Sequence, residues 1–123
     1  MFEVSVEESF SSGHYLRGYR GNCEKPHGHN YKVRITVQGE SLDEVGLLFD
    51  FRELKTAMNE IIDRLDHQMV NDLEPFDRLN PSAENMAKYF YDEISGGLGQ
   101  STPVQLDQVR VWETDTSSAT YRP

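Results

Sequence analysis

From His27 to Gln38 the chain alternates without a break. His27, His29, Tyr31, Val33, Ile35 and Val37 take the odd places, and Lys32, Arg34, Thr36 and Gln38 the even ones. Period-two alternation predicts a strand with one buried face. The two histidines of the HGH triplet therefore share the start of the apolar face, where a metal would be partly shielded from water. Gly28 between them points outward and suits a tight backbone approach. Two buried histidines satisfied by hydrogen bonds are the plainer alternative. The wider stretch His14–His29 holds three of the four histidines and the only cysteine in 123 residues. Imidazole nitrogens are common zinc ligands, and three of them without a fourth protein ligand leave a position for substrate or water.

The N-terminal stretch alternates as well. Phe2, Val4, Val6 and Phe10 point one way, and Glu3, Ser5 and Glu7 the other, which predicts a half-buried strand. His14 keeps the parity of Phe10 and lies on the same face if no bulge intervenes near Ser11–Gly13. Residues 15–26, rich in Gly, Arg and Tyr and ending at Pro26, read as a loop. After Gly39 a turn and the short run GLLFDF lead to Asp50, suited to cap a helix that reaches about Leu65. Phe51, Leu54, Met58, Ile61, Ile62 and Leu65 follow helical spacing as its core stripe.

Asp66-His67 follows that helix, and QMVNDLEPFDRLNP reads as loop. A second helix starts near Ser82, buries Ala83, Met86, Ala87, Phe90 and Ile94, and stops at Gly96-Gly97. Val104–Glu113 reads as a third strand, with Val109, Val111 and Glu113 on one face and Arg110 and Trp112 on the other. A carboxylate continuing an apolar face needs a partner, whether Arg110, Arg122, a histidine or a ligand. A fourth strand is expected around Ala119–Arg122. The expected class is α+β: one domain over residues 1–123, with an antiparallel four-stranded sheet and two helices on one face. Exposed sheet edges favour association of subunits.

A formal net charge of −9 argues against a nucleic-acid-binding surface. It leaves room for an anionic substrate, because Arg17, Arg20 and Lys25 form a local cationic group. These three are otherwise expected to be solvated. No apolar run approaches a membrane span, MFEVSVEESF lacks the basic start of a secretory signal, and a single cysteine permits no intrachain disulfide. A cytoplasmic setting is expected.

Five short motifs occur in order: F-x-S-x-H at Phe10–His14, C-x-x-x-H-G-H at Cys23–His29, L-D-H at Leu65–His67, N-P-S-A-E-N at Asn80–Asn85, and W-E-T at Trp112–Thr114. With these the chain resembles the 6-pyruvoyl-tetrahydropterin synthase family over nearly its whole length. Within the family it most resembles the bacterial queuosine-pathway branch, the 6-carboxy-tetrahydropterin synthases, to which the three-residue gap between Cys23 and HGH points. The resemblance implies the T-fold (tunnelling fold), whose sheets associate into a barrel, usually as trimers paired into a homohexamer with active sites between subunits. It implies zinc held by His14, His27 and His29. Cys23, His67 and Glu113 would be catalytic groups, Asp66 would support His67, and Glu84 would grip the pterin ring.

The implied reaction converts 7,8-dihydroneopterin triphosphate to 6-carboxy-5,6,7,8-tetrahydropterin with release of acetaldehyde and triphosphate. The QMVND segment departs from the more apolar or aromatic family pattern and leaves the geometry of that loop open. Alternatives also stay open. Cys23 could be a fourth zinc ligand, Asp66-His67 an ordinary helix end, and Glu84 a residue suited to the helix dipole. The product could be the 6-pyruvoyl pterin, or the chain a zinc-stabilised module without catalysis. A zinc hydrolase is weaker, since no H-E-x-x-H helix motif is present.

Overall fold

The computed structural model describes residues 1–21, 24–98 and 103–123. Strands β1 (Phe2–His14) and β2 (His27–Gly39) are followed by helices α1 (Phe51–Leu65) and α2 (Ala83–Gly97). Strands β3 (Gln105–Thr114) and β4 (Ser117–Tyr121) close the chain. The strands form one antiparallel sheet in chain order, β1-β2-β3-β4. The expected α+β arrangement is the one found.

The alternations set the layers. Val6 and Phe10 of β1, Tyr31, Val33, Ile35 and Val37 of β2, and Val109 and Val111 of β3 form one core with Leu54, Met58, Ile62, Met86 and Phe90 of the helices. Both helices therefore cover the same sheet face. β1 and β2 pair without a bulge from Phe2↔Gly39 to His14↔His27, so the parity of His14 survives to the strand's end. The β2–β3 ladder does shift, between Thr36 and Val37, and Thr36 is buried although it belongs to the polar set.

Each helix starts where its cap predicts. The Asp50 carboxylate accepts the Arg52 N–H at 2.8 Å, and the Ser82 hydroxyl accepts the Asn85 N–H at 3.1 Å. Each such cap is worth about 1 kcal/mol. Three expectations are corrected. Phe51, placed in the core stripe by its spacing, is 50% exposed; it begins α1 just after residues 40–47, all exposed, so no neighbouring segment covers it. The segment after His67 is not plain loop, because Val70–Asp72 makes a 3₁₀ turn and Val70, Asn71 and Phe76 are buried. At Gly28 a Cβ would meet nothing nearer than the Ser12 carbonyl oxygen at 3.8 Å, whereas at Gly13 it would lie 3.0 Å from Met69 Cε. Gly28 therefore has no tight approach, and Gly13 across the ladder is the more crowded of the two.

Phe90 is fully buried and stacks obliquely on Phe10, so Phe90→Ala should cost about 3–5 kcal/mol. Phe51→Ser should stay within about 0.5 kcal/mol. Urea unfolding of both variants checks the difference.

Candidate functional site

The β1–β2 register brings the three histidines together. His14 faces His27 across the ladder, and His29 faces Ser12. One ligand nitrogen from each of the three rings fits within 4.8 Å of the others. The Nε2 atoms of His14 and His27 are 3.0 Å apart; a tetrahedral ion with metal–nitrogen bonds of about 2.0–2.1 Å sets neighbouring ligands about 3.3 Å apart. The opposite ring nitrogens are committed. His14 Nδ1 lies 2.8 Å from the Pro81 carbonyl oxygen, and His27 Nδ1 lies 2.7 Å from that of Lys25. A ring donating at Nδ1 carries its lone pair at Nε2, as a ligating imidazole must. Burial lowers the His14 pKa below 6.5, outweighing the Pro81 carbonyl and Glu113, which raise it. Burial likewise lowers that of His29. Neutral imidazoles bind a metal without first losing a proton. The donor set fits a nitrogen-preferring divalent ion.

Glu113 completes this end of the sheet. Its Oε1 lies 3.1 Å from His14 Nε2 and 3.6 Å from His29 Nε2. The candidate arginines are engaged elsewhere: Arg110 donates to the Ser118 hydroxyl at 3.0 Å, and Arg122 to the Gln108 side-chain oxygen at 3.1 Å. The histidine rings, and not the arginines, are thus the groups that face this carboxylate. Beneath them Tyr31 is fully buried, its hydroxyl has no partner among the described residues, and burial, then Glu113, push its pKa upward.

Asp66 and His67 leave α1 and dock on β1. Asp66 accepts the Ser11 N–H at 2.9 Å, His67 N–H donates to the Ser11 carbonyl at 2.6 Å, and Gly13 N–H donates to that of Gln68 at 3.0 Å. A left-handed residue just past the cap is a common helix ending, and His67 adopts it. It lies beyond the cap residue Asp66 in the left-handed region, at φ 58°, a conformation that costs a non-glycine residue about 1–3 kcal/mol. Its ring, 80% exposed, holds Nδ1 at 3.0 Å from Asp66 Oδ1. The Ser11 amide outweighs burial and, with the His67 ring, keeps the Asp66 carboxyl below its ordinary range. Asp66 is therefore ionised at neutral pH and orients the ring. His67 and His29 line one open groove of about 480 Å³, floored by Ser12, Gly13 and Gly28.

Glu84 stands exposed in the first turn of α2, with no hydrogen bond or ion pair among the described residues. It is not brought into contact with the triad. Cys23 lies outside the described residues. Arg17 is not simply solvated, since Nη2 donates to the Phe76 carbonyl at 2.9 Å. Two asparagines that no motif marked as functional hold the strand's exit. The Asn71 amide pairs with both N–H and C=O of Tyr15, each at 2.9 Å. Asn80 pairs with those of Arg17 at 2.9 and 3.0 Å. Asn80 belongs to the N-P-S-A-E-N motif, where an Asn-Pro step signals only a turn.

Lowered histidine pKa values fix a sign. In the unfolded chain these rings protonate near 6.5; in the metal-free fold they resist. Their contribution to stability is present above that pH and is lost as the pH falls from there toward the native values. Urea midpoints of metal-free protein should drop between about pH 7.5 and about pH 5.5, and less so in His14→Gln. His27→Ala should abolish stoichiometric metal retention, read by elemental analysis after dialysis.

Comparison with known proteins agrees with this geometry. The family model for 6-pyruvoyl tetrahydropterin synthase matches residues 3–123. The 6-carboxy-5,6,7,8-tetrahydropterin synthase of Bacillus subtilis (strain 168) is 38% identical, over 99% of this chain and 86% of the relative. The 6-pyruvoyl tetrahydrobiopterin synthase of Homo sapiens is 34% identical, over 98% of this chain and 90% of the relative. Among solved structures, the Caenorhabditis elegans 6-pyruvoyl tetrahydropterin synthase superposes with a TM-score of 0.85 at 28% identity, covering 100% of this chain and 97% of that one. The T-fold expected from the motifs is the fold found. A family model that spans all but the first two residues, on a sheet that gathers the expected histidines, leaves one conclusion: the chain belongs to the 6-pyruvoyl tetrahydropterin synthase family.

Proposed function

We propose that this chain is a zinc-dependent lyase of queuosine (7-deazapurine) biosynthesis. It would convert 7,8-dihydroneopterin triphosphate, with uptake of water, to 6-carboxy-5,6,7,8-tetrahydropterin, acetaldehyde and triphosphate. One observation carries the reading. His29 of the triad and His67, which Asp66 holds at 3.0 Å, line the same groove, so a small substrate can meet a metal ligand's side and a proton-exchanging group together.

His14, His27 and His29 would hold zinc, which when bound supplies a Lewis acid toward the hydroxyls of the substrate's side chain. Cys23 serves as the base at the neighbouring carbon-bound protons, a task suited to a thiolate. His67, kept in one orientation by ionised Asp66, passes protons at neutral pH. Glu113, beside the triad, takes or holds a proton at Oε1. Glu84, with no ion pair to break among the described residues, offers both oxygens to the paired N–H groups of the pterin ring.

The 6-carboxy product is favoured over the 6-pyruvoyl product by the three-residue gap between Cys23 and the HGH triplet. Association into a homohexamer, a dimer of trimers, is supported by the open edges of β1 and β4 and by exposed Leu42, Val45 and Leu47. The exposure of His67 and Glu84 suits sites completed by a neighbouring subunit. A cytoplasmic location is part of the same reading. No described helix is long and apolar enough to cross a membrane.

Zinc-loaded protein given 7,8-dihydroneopterin triphosphate should release acetaldehyde, followed with a coupled dehydrogenase, and a 6-carboxy pterin, followed by mass spectrometry. A 6-pyruvoyl pterin without acetaldehyde would establish the alternative product. No turnover by a folded, metal-replete oligomer would favour the non-catalytic module. Cys23→Ala should keep its metal and lose about 10²-fold or more in kcat; full activity in that variant would remove Cys23 from the mechanism.

A further inference from the structure

The sheet face turned away from the helices carries a second organised cluster. By register, Glu7, Arg34, Arg110 and Thr120 form one row across all four strands, and Lys32, Trp112 and Ser118 lie in the next. Arg34 and Arg110 are direct cross-strand partners, an arrangement that like charges disfavour. Trp112 offsets part of this. Lys32 Nζ lies 4.2 Å from its ring centroid, and the guanidinium carbons of Arg34 and Arg110 each lie 4.8 Å away.

The carboxylates in reach do not neutralise the group. Glu7 takes Arg34 at 2.6 Å and Lys32 at 4.0 Å. Asp107 accepts from the Gln108 amide, and Glu3 lies at the groove wall. Arg110 and Arg122 have only neutral partners among the described residues, the Ser118 hydroxyl and the Gln108 side-chain oxygen. Acidic residues outnumber Lys and Arg by 21 to 12 in this chain, so two arginines without a carboxylate on one face call for another anion. Arg34, Arg110 and Arg122 line an open groove of about 470 Å³, with the hydroxyls of Ser5, Thr36 and Thr120 beside them.

We propose that this groove binds a linear polyphosphate anion. Adjacent strands stand about 4.8 Å apart, and same-face residues along a strand about 7 Å apart. Arg34 and Arg110 share a row on β2 and β3, and Arg122 follows the end of β4. A single tetrahedral oxyanion suits one such fork, whereas a chain of phosphoryl groups can meet several. Guanidinium forks pair with phosphoryl oxygens bidentately, and the hydroxyls supply further donors. The site is across the sheet from the histidine triad, because Arg34 and Arg110 alternate with the core residues Val33, Ile35, Val109 and Val111. It is therefore independent of the proposed reaction and stands or falls separately.

Trp112 is the only tryptophan, so its fluorescence reports directly on the cations around it. Zinc-loaded protein would be titrated with inorganic tripolyphosphate at constant ionic strength, with orthophosphate and ATP in parallel and zinc content checked afterwards. A saturable change is expected with tripolyphosphate, at least tenfold weaker with orthophosphate. Arg110→Gln combined with Arg122→Gln should weaken it tenfold or more while leaving metal content unchanged. Arg122→Gln alone, at an exposed position beyond β4, gives the same readout with a smaller shift if the double variant fails to fold. ATP equal to tripolyphosphate would assign the site to nucleotide-borne chains, and weaker ATP to the free anion; both support the proposal. No saturable change, equal binding of orthophosphate, or unaltered affinity in the arginine variants would overturn it.

Discussion

The unbroken pairing of β1 with β2 is the constraint on which the site depends. A strand's side chains alternate, so a one-residue slip or a bulge between Phe10 and His14 would turn His14 to the opposite face. The register is held from two sides. Phe10 and Tyr31, cross-strand partners, stack at 5.1 Å in the core. At the open edge of β1, residues 66–68 bond to Ser11 and Gly13. The same contacts that protect the edge also present His67, so its placement follows from the packing that fixes the metal ligands.

The histidines are also tied to the helical layer. The Pro81 carbonyl, just before α2, takes the Nδ1 hydrogen bond of His14, and the Asn85 amide in turn donates to the Asn80 carbonyl at 2.9 Å. Asn80 and Asn71 then hold the backbone that leaves His14. Burial holds His14 and His29 below the ordinary histidine range, and the Pro81 and Lys25 carbonyls leave Nε2 of His14 and His27 free. Geometry, tautomer and protonation state are thus set by neighbours that never touch the metal position.

Some of this was legible residue by residue. The parity of His14, His27 and His29 put three rings on one face because the strand period is two. A glutamate continuing the Val109–Val111 face announced a buried partner, and the caps Asp50 and Ser82 marked both helix starts. Phe51 obeyed the helical period yet is exposed, because periodicity says which side a residue faces and not whether anything lies there. Asn71 and Asn80 gave no signal, since an amide that pairs with backbone of distant sequence is recognisable only once the two segments meet. Arg17 looked like a surface cation for the same reason.

What the sequence determined by itself was local: two strands with known faces, two capped amphipathic helices, a histidine set of the right chemistry, and through five ordered motifs a family. Those follow from the pleat, the helical repeat and side-chain chemistry, which act over a few residues. Only the tertiary structure decided that Glu113 answers to histidines and not arginines, that His67 sits in a left-handed turn docked on β1, and that Arg34 and Arg110 confront each other over Trp112. Each of these is a contact between segments far apart in the chain. Its free energy depends on distances that no local pattern encodes.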